Sequence, residues 1–135
     1  MHCEVRHPVP QVWCAVLMTS MNVKVRISLT DTQREPFMGI GLVWLIRRIK
    51  RFGSIRRAAE DMGMSYVKAL RILNRLERKL GKKILVRKIG GATRGGTALT
   101  PFAEEFVERY ERYHTRVTDF ALKEFIRHFG KSRIA

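Results

Sequence analysis

At 135 residues the chain has room for one hydrophobic core, and too little for a binding module with a separate sensor. It carries 27 Lys and Arg against 12 Asp and Glu, a formal charge of +15; 16 of the basic residues lie between Arg47 and Arg94, beside only Glu60, Asp61 and Glu77. Charge so concentrated points to a polyanion, nucleic acid before an anionic membrane, rather than to a merely solubilising surface.

Residues 1–21, MHCEVRHPVPQVWCAVLMTSM, make a poor signal peptide: the apolar part is short and holds Gln11, and a small-x-small cleavage site is missing. They read as a leader outside the core. Cys3 and Cys14 both lie there, so the core carries no disulfide framework and a reducing cytoplasm fits. No apolar stretch reaches the ~20 residues a helix needs to cross a bilayer, and no membrane partner is expected.

From Asn22 the pattern sharpens into one domain over 22–130, with 131–135 as a tail. Val23, Val25, Ile27 and Leu29 alternate with Lys24, Arg26, Ser28 and Thr30, which predicts a strand with one buried face. Leu42, Leu45, Ile46, Ile49 and Phe52 recur at helical spacing, with Arg47, Arg48, Lys50 and Arg51 around the other side and Gly53 as the stop. Ser54 caps a second helix with Ile55, Ala58, Ala59 and Met62 inward, ended by Gly63. Ser65 caps a third, with Ala69, Leu70, Leu73, Leu76 and Leu80 as its apolar stripe and Gly81 as its end.

A short helix, a glycine turn and a longer helix predict a helix-turn-helix whose recognition helix is 65–80. Val67, Lys68, Arg71, Asn74, Arg75 and Arg78 are expected on its outward face. Arg suits a guanine edge, Asn an adenine edge, and Val67 a thymine methyl. Ser54 and Arg56, at the start of the second helix, complete the surface expected to meet DNA. Lys82 and Lys83 follow on the backbone side.

The stretch RKIGGATRGGTALT holds four glycines between two β-like runs. As a P-loop it fails, because Gly96 stands where the phosphate-binding lysine belongs and a strand follows instead of a helix. As the hairpin of a wing over 84–99, with its tip at Gly90 to Gly96, it fits. Arg87 and Lys88 at the base are expected on the phosphate backbone, and Arg94 at the tip in a narrow minor groove.

Thr100 and Pro101 open a last helix, a capping hydroxyl before a first-turn proline. Phe102, Phe106, Tyr110, Tyr113, Val117, Phe120 and Ala121 recur at three- and four-residue steps, and Phe125 and Phe129 continue the apolar character. A helix of about 28 residues is ~42 Å long, more than so small a domain covers. Phe106, Tyr110, Tyr113, Val117, Phe120 and Phe125 are therefore expected to pair with a second copy in a homodimer.

The run GSIRRAAEDMGMSYVKALRILNRLERKLGKKILVRKIGGATRGGTALTPFAEEF resembles the DNA-binding domain of the ModE molybdate-responsive regulators, most specifically in GMSY and in the glycine-rich wing ending in LT. The remaining helix pattern is shared with LysR-type regulators. The resemblance spans roughly 23–129 and implies a dimeric winged-helix DNA binder in transcription. Family DNA-contact roles carry over to Ser65, Tyr66, the outward third-helix residues and Arg94. The oxyanion-binding β-domains of full-length molybdate sensors have no counterpart in these residues, and molybdate sensing is not expected.

The fold expected is therefore mainly α with a small β-sheet, a winged helix-turn-helix with a long C-terminal dimerisation helix. Double-stranded DNA and a second copy are the expected partners, in the cytoplasm and on the nucleoid. Neither HExxH nor a GxSxG elbow is present, and His114 and His128 stand four turns apart without cysteines, so no catalysis, metal or cofactor is expected. An architectural protein binding DNA by charge alone is the alternative. An RNA-binding sheet would display aromatics on strands, whereas these lie mostly on the last helix.

Overall fold

The computed structural model describes residues 22–88 and 96–130. The leader 1–21, the wing tip with Arg94 and the tail 131–135 lie outside the described residues. In chain order the elements are β1 (Leu29–Thr30), β2 (Pro36–Met38), α1 (Ile40–Phe52), α2 (Ile55–Asp61), α3 (Tyr66–Leu80), β3 (Leu85–Lys88), β4 (Gly96–Leu99) and α4 (Pro101–Phe129). Residues Arg26–His114 group as one compact unit, and of the remaining described residues 22–25 and 115–130 group as another.

The three helices of the larger unit begin and end where their capping residues dictate. Ser54 and Ser65 accept hydrogen bonds from the Arg57 and Lys68 amides at 3.2 and 3.1 Å. Gly53, Gly63 and Gly81 all adopt positive φ, between 63° and 66°. At Gly53 the amide donates to the Ile49 carbonyl at 2.8 Å, closing α1 in the left-handed turn that a side chain resists. Gly53→Ala is expected to cost ~1 kcal/mol, lowering the melting midpoint by roughly 4–8 °C in a thermal denaturation followed by circular dichroism.

Leu45, Ile46, Ile49, Leu73, Leu76 and Ile84 fill the centre of the core. Ala58, Ala59 and Ala69 are fully buried, and their small side chains let α2 and α3 approach closely. Val43, absent from the expected stripe, is buried as well, while Phe52 is only half-buried.

Two expectations change. The strand expected over 23–30 shrinks to Leu29–Thr30, because its partner β2 is three residues long, starts at a proline without an N–H, and meets it through a register shift. The alternation survives without the ladder: Val25, Ile27 and Leu29 are half-buried between exposed neighbours. The turn between β1 and β2 is held by Asp31, whose carboxylate accepts from the Gln33 and Glu35 amides at 2.9 Å.

The buried stripe of α4 is also rotated from the expected one. Ala103, Val107 and Tyr110 face the core, whereas Phe102 is exposed and stacks on half-buried Phe106 with ring centroids 6.0 Å apart. Ala103 carries too little hydrophobic bulk to draw notice in sequence, yet its size admits the helix to the core. Thr100 caps α4, accepting from the Ala103 amide at 3.1 Å.

β3 and β4 form an antiparallel hairpin that pairs Leu85 with Leu99 and Lys88 with Gly96. Gly96, assigned from sequence to the tip, is a strand residue. Its amide neighbour Thr97 donates to the Gly53 carbonyl at 2.9 Å, and a Cβ at Gly96 would stand 3.3 Å from that oxygen. The glycine serves a close backbone approach instead of a turn.

Candidate nucleic-acid interface

Helix α3 turns different residues to two adjoining grooves. One is lined by Val67, Arg71, Asn74, Arg78, Lys82 and Lys83. The other runs between the start of α2, α3 and the wing, and is lined by Ser54, Arg56, Tyr66, Asn74, Arg87 and Lys88 among others. Asn74, Glu77 and Lys83 border both. Helical spacing explains the first set, since positions 67, 71, 74 and 78 recur every three or four residues on one face.

Ion pairing sorts the basic residues. Arg47 makes a bidentate contact with Glu111, Arg48 pairs with Asp61 at 2.6 Å, and Lys50 with Glu104 at 2.9 Å. These pairs tie α1 to α2 and to the first half of α4, and commit three of the α1 cations to carboxylates. Among the described residues, Arg56, Arg71, Arg78, Lys82, Arg87 and Lys88 pair with no carboxylate, and all six line the grooves. The guanidinium of Arg56 lies over the Tyr66 ring, 5.0 Å from its centroid, leaving its N–H groups for an anion. The hydroxyls of Ser54 and Ser65 accept at their caps, and each keeps its O–H to donate.

Arg75, expected outward for DNA, belongs elsewhere. It bonds Glu35 at 3.0 Å and borders a separate cleft with Ile72 and β2, because it stands 100° around the helix from Asn74. Lys79, one turn on, pairs with Asp31. That ammonium, and then the Glu35 amide, hold the Asp31 carboxyl below its ordinary range. Lys68 is exposed in the first turn of α3 and by spacing lies towards this same flank.

Two groove residues escaped the sequence reading. Val86 is exposed on β3 and lines the wing groove, although strand alternation places it on the same face as buried Ile84. Glu77, seen in sequence merely as a minority charge, accepts from the Ile84 amide at 2.9 Å and the Leu85 amide at 3.4 Å. Burial alone would push its carboxyl up; the two amides and the Lys83 ammonium outweigh that and hold it below its ordinary value. It therefore contributes stability above the usual carboxylate range and loses it as pH falls through the lowered value.

Residues 43–104 match the family described as bacterial regulatory helix-turn-helix protein, lysR family. The match takes in most of α1, the helix-turn-helix and the wing, and ends in the first turn of α4. The fold is shared with the protein of the crystal structure of the BenM_DBD/catB site 1 DNA complex: TM-score 0.53 and 16% identity, over 73% of this chain and 100% of that one. In sequence the chain is similar to the transcriptional regulator ModE of Haemophilus influenzae, 34% identical over 79 residues, 58% of this chain and 31% of that protein. It is similar also to the molybdenum transport protein ModE of Azotobacter vinelandii, 32% over 93 residues, 69% of this chain and 34% of that protein. With the DNA-binding transcriptional dual regulator ModE of Escherichia coli K12 it shares 32% over 92 residues, 67% of this chain and 34% of that protein. The chain spans about a third of the length of these relatives.

In the unit that holds the matched residues, Phe106 is half-buried and Tyr113 is 51% exposed. Tyr110, expected on a pairing face, is instead a core residue, 3% exposed, whose hydroxyl donates to the Ile27 carbonyl at 2.7 Å. Its burial follows from the rotated stripe. In the other unit, Phe120 is 65% exposed, Val117 is half-buried, and half-buried Phe125 sits against Phe129 with centroids 5.4 Å apart. His114 lies beside the Tyr110 ring, and His128 pairs with Glu124 at 3.1 Å. Among the described residues no cluster of His, Cys, Asp and Glu has the makings of a metal site, and no helix is long and apolar enough to cross a membrane.

Proposed function

We propose that this chain is a sequence-specific DNA-binding regulator of transcription, non-enzymatic, acting in the cytoplasm on the nucleoid as a homodimer. The observation that carries the reading is the gathering of unpaired cations along the two grooves. Of the seven cations that line the grooves, six pair with no carboxylate among the described residues, and they surround Val67 and Asn74, while Arg47, Arg48 and Lys50 on α1 are held by carboxylates. Charge alone needs only the cations; neutral groups at the centre of the same face supply base discrimination. Helix α3 then enters the major groove, and the wing, with Arg87, Lys88 and Arg94, lies on the flanking backbone or minor groove. Two copies place their α3 helices in successive major grooves about 34 Å apart on a pseudo-palindrome.

Selection from sheared genomic DNA, followed by affinities for the recovered site and a scrambled duplex across a salt series, tests this. A preference of ~10³ or more at physiological salt is expected. With Arg71 on a base edge, the other five unpaired groove cations on phosphates give a salt slope of roughly −4 to −5 per copy, about twice that for the dimer. Equal affinity for both duplexes sinks sequence-specific regulation and leaves an architectural DNA binder.

The homodimer reading is supported by Tyr113 and Phe120, large aromatic side chains left exposed along α4. Phe120→Asp is expected to shift sedimentation from dimer to monomer and to lower affinity for a two-half-site duplex ~10²-fold or more, with little change on a single half-site. An unchanged sedimentation coefficient removes Phe120 from the interface.

A further inference from the structure

Glu77 is an anomaly in the interface: a carboxylate bordering both grooves of a surface whose other charged residues are all cations. We propose that Glu77 is a positioning residue that sets the wing against α3, and thereby sets affinity for a specific site without touching DNA. The inference rests on the reading of these grooves as a DNA surface.

The geometry is that of a clamp on the entry to β3. From the α3 side, one carboxylate oxygen of Glu77 accepts from the amides of Ile84 and Leu85 at 2.9 and 3.4 Å, and the other faces the Lys83 ammonium at 3.4 Å. From the α4 side, the Thr100 hydroxyl donates to the Lys83 carbonyl at 2.7 Å and the Thr100 amide to the Ile84 carbonyl at 2.9 Å. Residues 83–85 are thus held from both sides, with fully buried Ile84 between. The glutamate side chain is only 18% exposed, so its oxygens are committed inward. β3 leaves this clamp carrying Val86, Arg87 and Lys88 into the wing groove, and a change of angle at residue 84 displaces all three.

Reach and charge make opposite predictions, and two conservative variants separate them. Glu77→Asp keeps the charge but is one methylene too short to meet both amides; Glu77→Gln keeps the reach and an accepting oxygen but drops the charge. Affinities of the full chain and both variants are measured on the selected duplex and on its scrambled counterpart, together with hydroxyl-radical footprints and amide exchange at Ile84 and Leu85. Glu77→Asp is expected to weaken binding to the selected duplex roughly 10-fold, to lose the outer protections of the wing while keeping the central ones, and to exchange faster at both amides. Glu77→Gln is expected to stay within about threefold on both duplexes and to keep its protections.

The reverse pattern, in which Glu77→Gln strengthens binding to every duplex and Glu77→Asp matches the parent, is what a mere acid in an anion groove gives, and it overturns the proposal. Unaltered exchange and footprints in Glu77→Asp overturn it as well. A parent chain that prefers no duplex brings down the regulator reading and this inference together, whereas a parent with a preferred site and the reverse variant pattern brings down this inference alone.

Discussion

Leu76→Ala is expected to lower stability by ~2–5 kcal/mol, a large part of the ~5–15 kcal/mol that holds a domain of this kind together. Leu76 is fully buried, on the inner face of α3, among the core residues contributed by α1 and α3 and by Ile84. Truncation removes three carbons and leaves a cavity whose walls belong to several elements, so relaxation of one helix does not close it. Leu76→Met, which nearly conserves volume, is expected to cost less than ~1.5 kcal/mol. Urea unfolding of both variants measures the difference. A loss below ~1 kcal/mol for the alanine variant would mean that this part of the core repacks freely.

Arg71→Ala is expected to act on recognition and leave the fold intact. Arg71 is exposed on the face of α3 that also presents Val67, Asn74 and Arg78, and it pairs with no carboxylate among the described residues. A bidentate contact to a base edge is worth ~1–3 kcal/mol of discrimination, so the preferred duplex loses about 5- to 150-fold while a scrambled duplex changes little. Lys82→Ala provides the contrast: a phosphate contact at the end of α3 lowers affinity on all sequences alike and reduces the salt slope by about one. Competition titrations on both duplexes decide the matter. Equal loss on every duplex in Arg71→Ala would remove this arginine from base readout.

The helix-turn-helix was legible in sequence because its boundaries depend on residues with a single local meaning. Ser54 and Ser65 at helix starts, and Gly53, Gly63 and Gly81 at helix ends, act within four residues of themselves, and each element begins or ends beside them. The outward face of α3 was legible for the same reason, through Leu73 and Leu76 opposite Arg71 and Asn74. What sequence alone obscured depends on distant partners. Arg75 counted as a free cation until Glu35, 40 residues earlier, was found beside it, and Arg47 until Glu111, 64 residues later. Aromatic residues drew the stripe of α4 towards Phe102 and Phe106, while unremarkable Ala103 and Val107 made the buried face. Tyr110 belonged to both patterns, and only a carbonyl 83 residues away identified its place in the core.

The backbone contact between Gly53 and Gly96 bears on how variant libraries of this chain should be interpreted. The two stand 43 residues apart in sequence, one closing α1 and the other opening β4, and a Cβ on Gly96 would crowd the Gly53 carbonyl at 3.3 Å. In a saturation screen scored by reporter expression, both positions should favour glycine over every other residue and so stand out beside true base readers. A second screen scored by protein abundance separates the two kinds of position. Variants at 53 and 96 fall in both screens, while those at Arg71 fall only in the first.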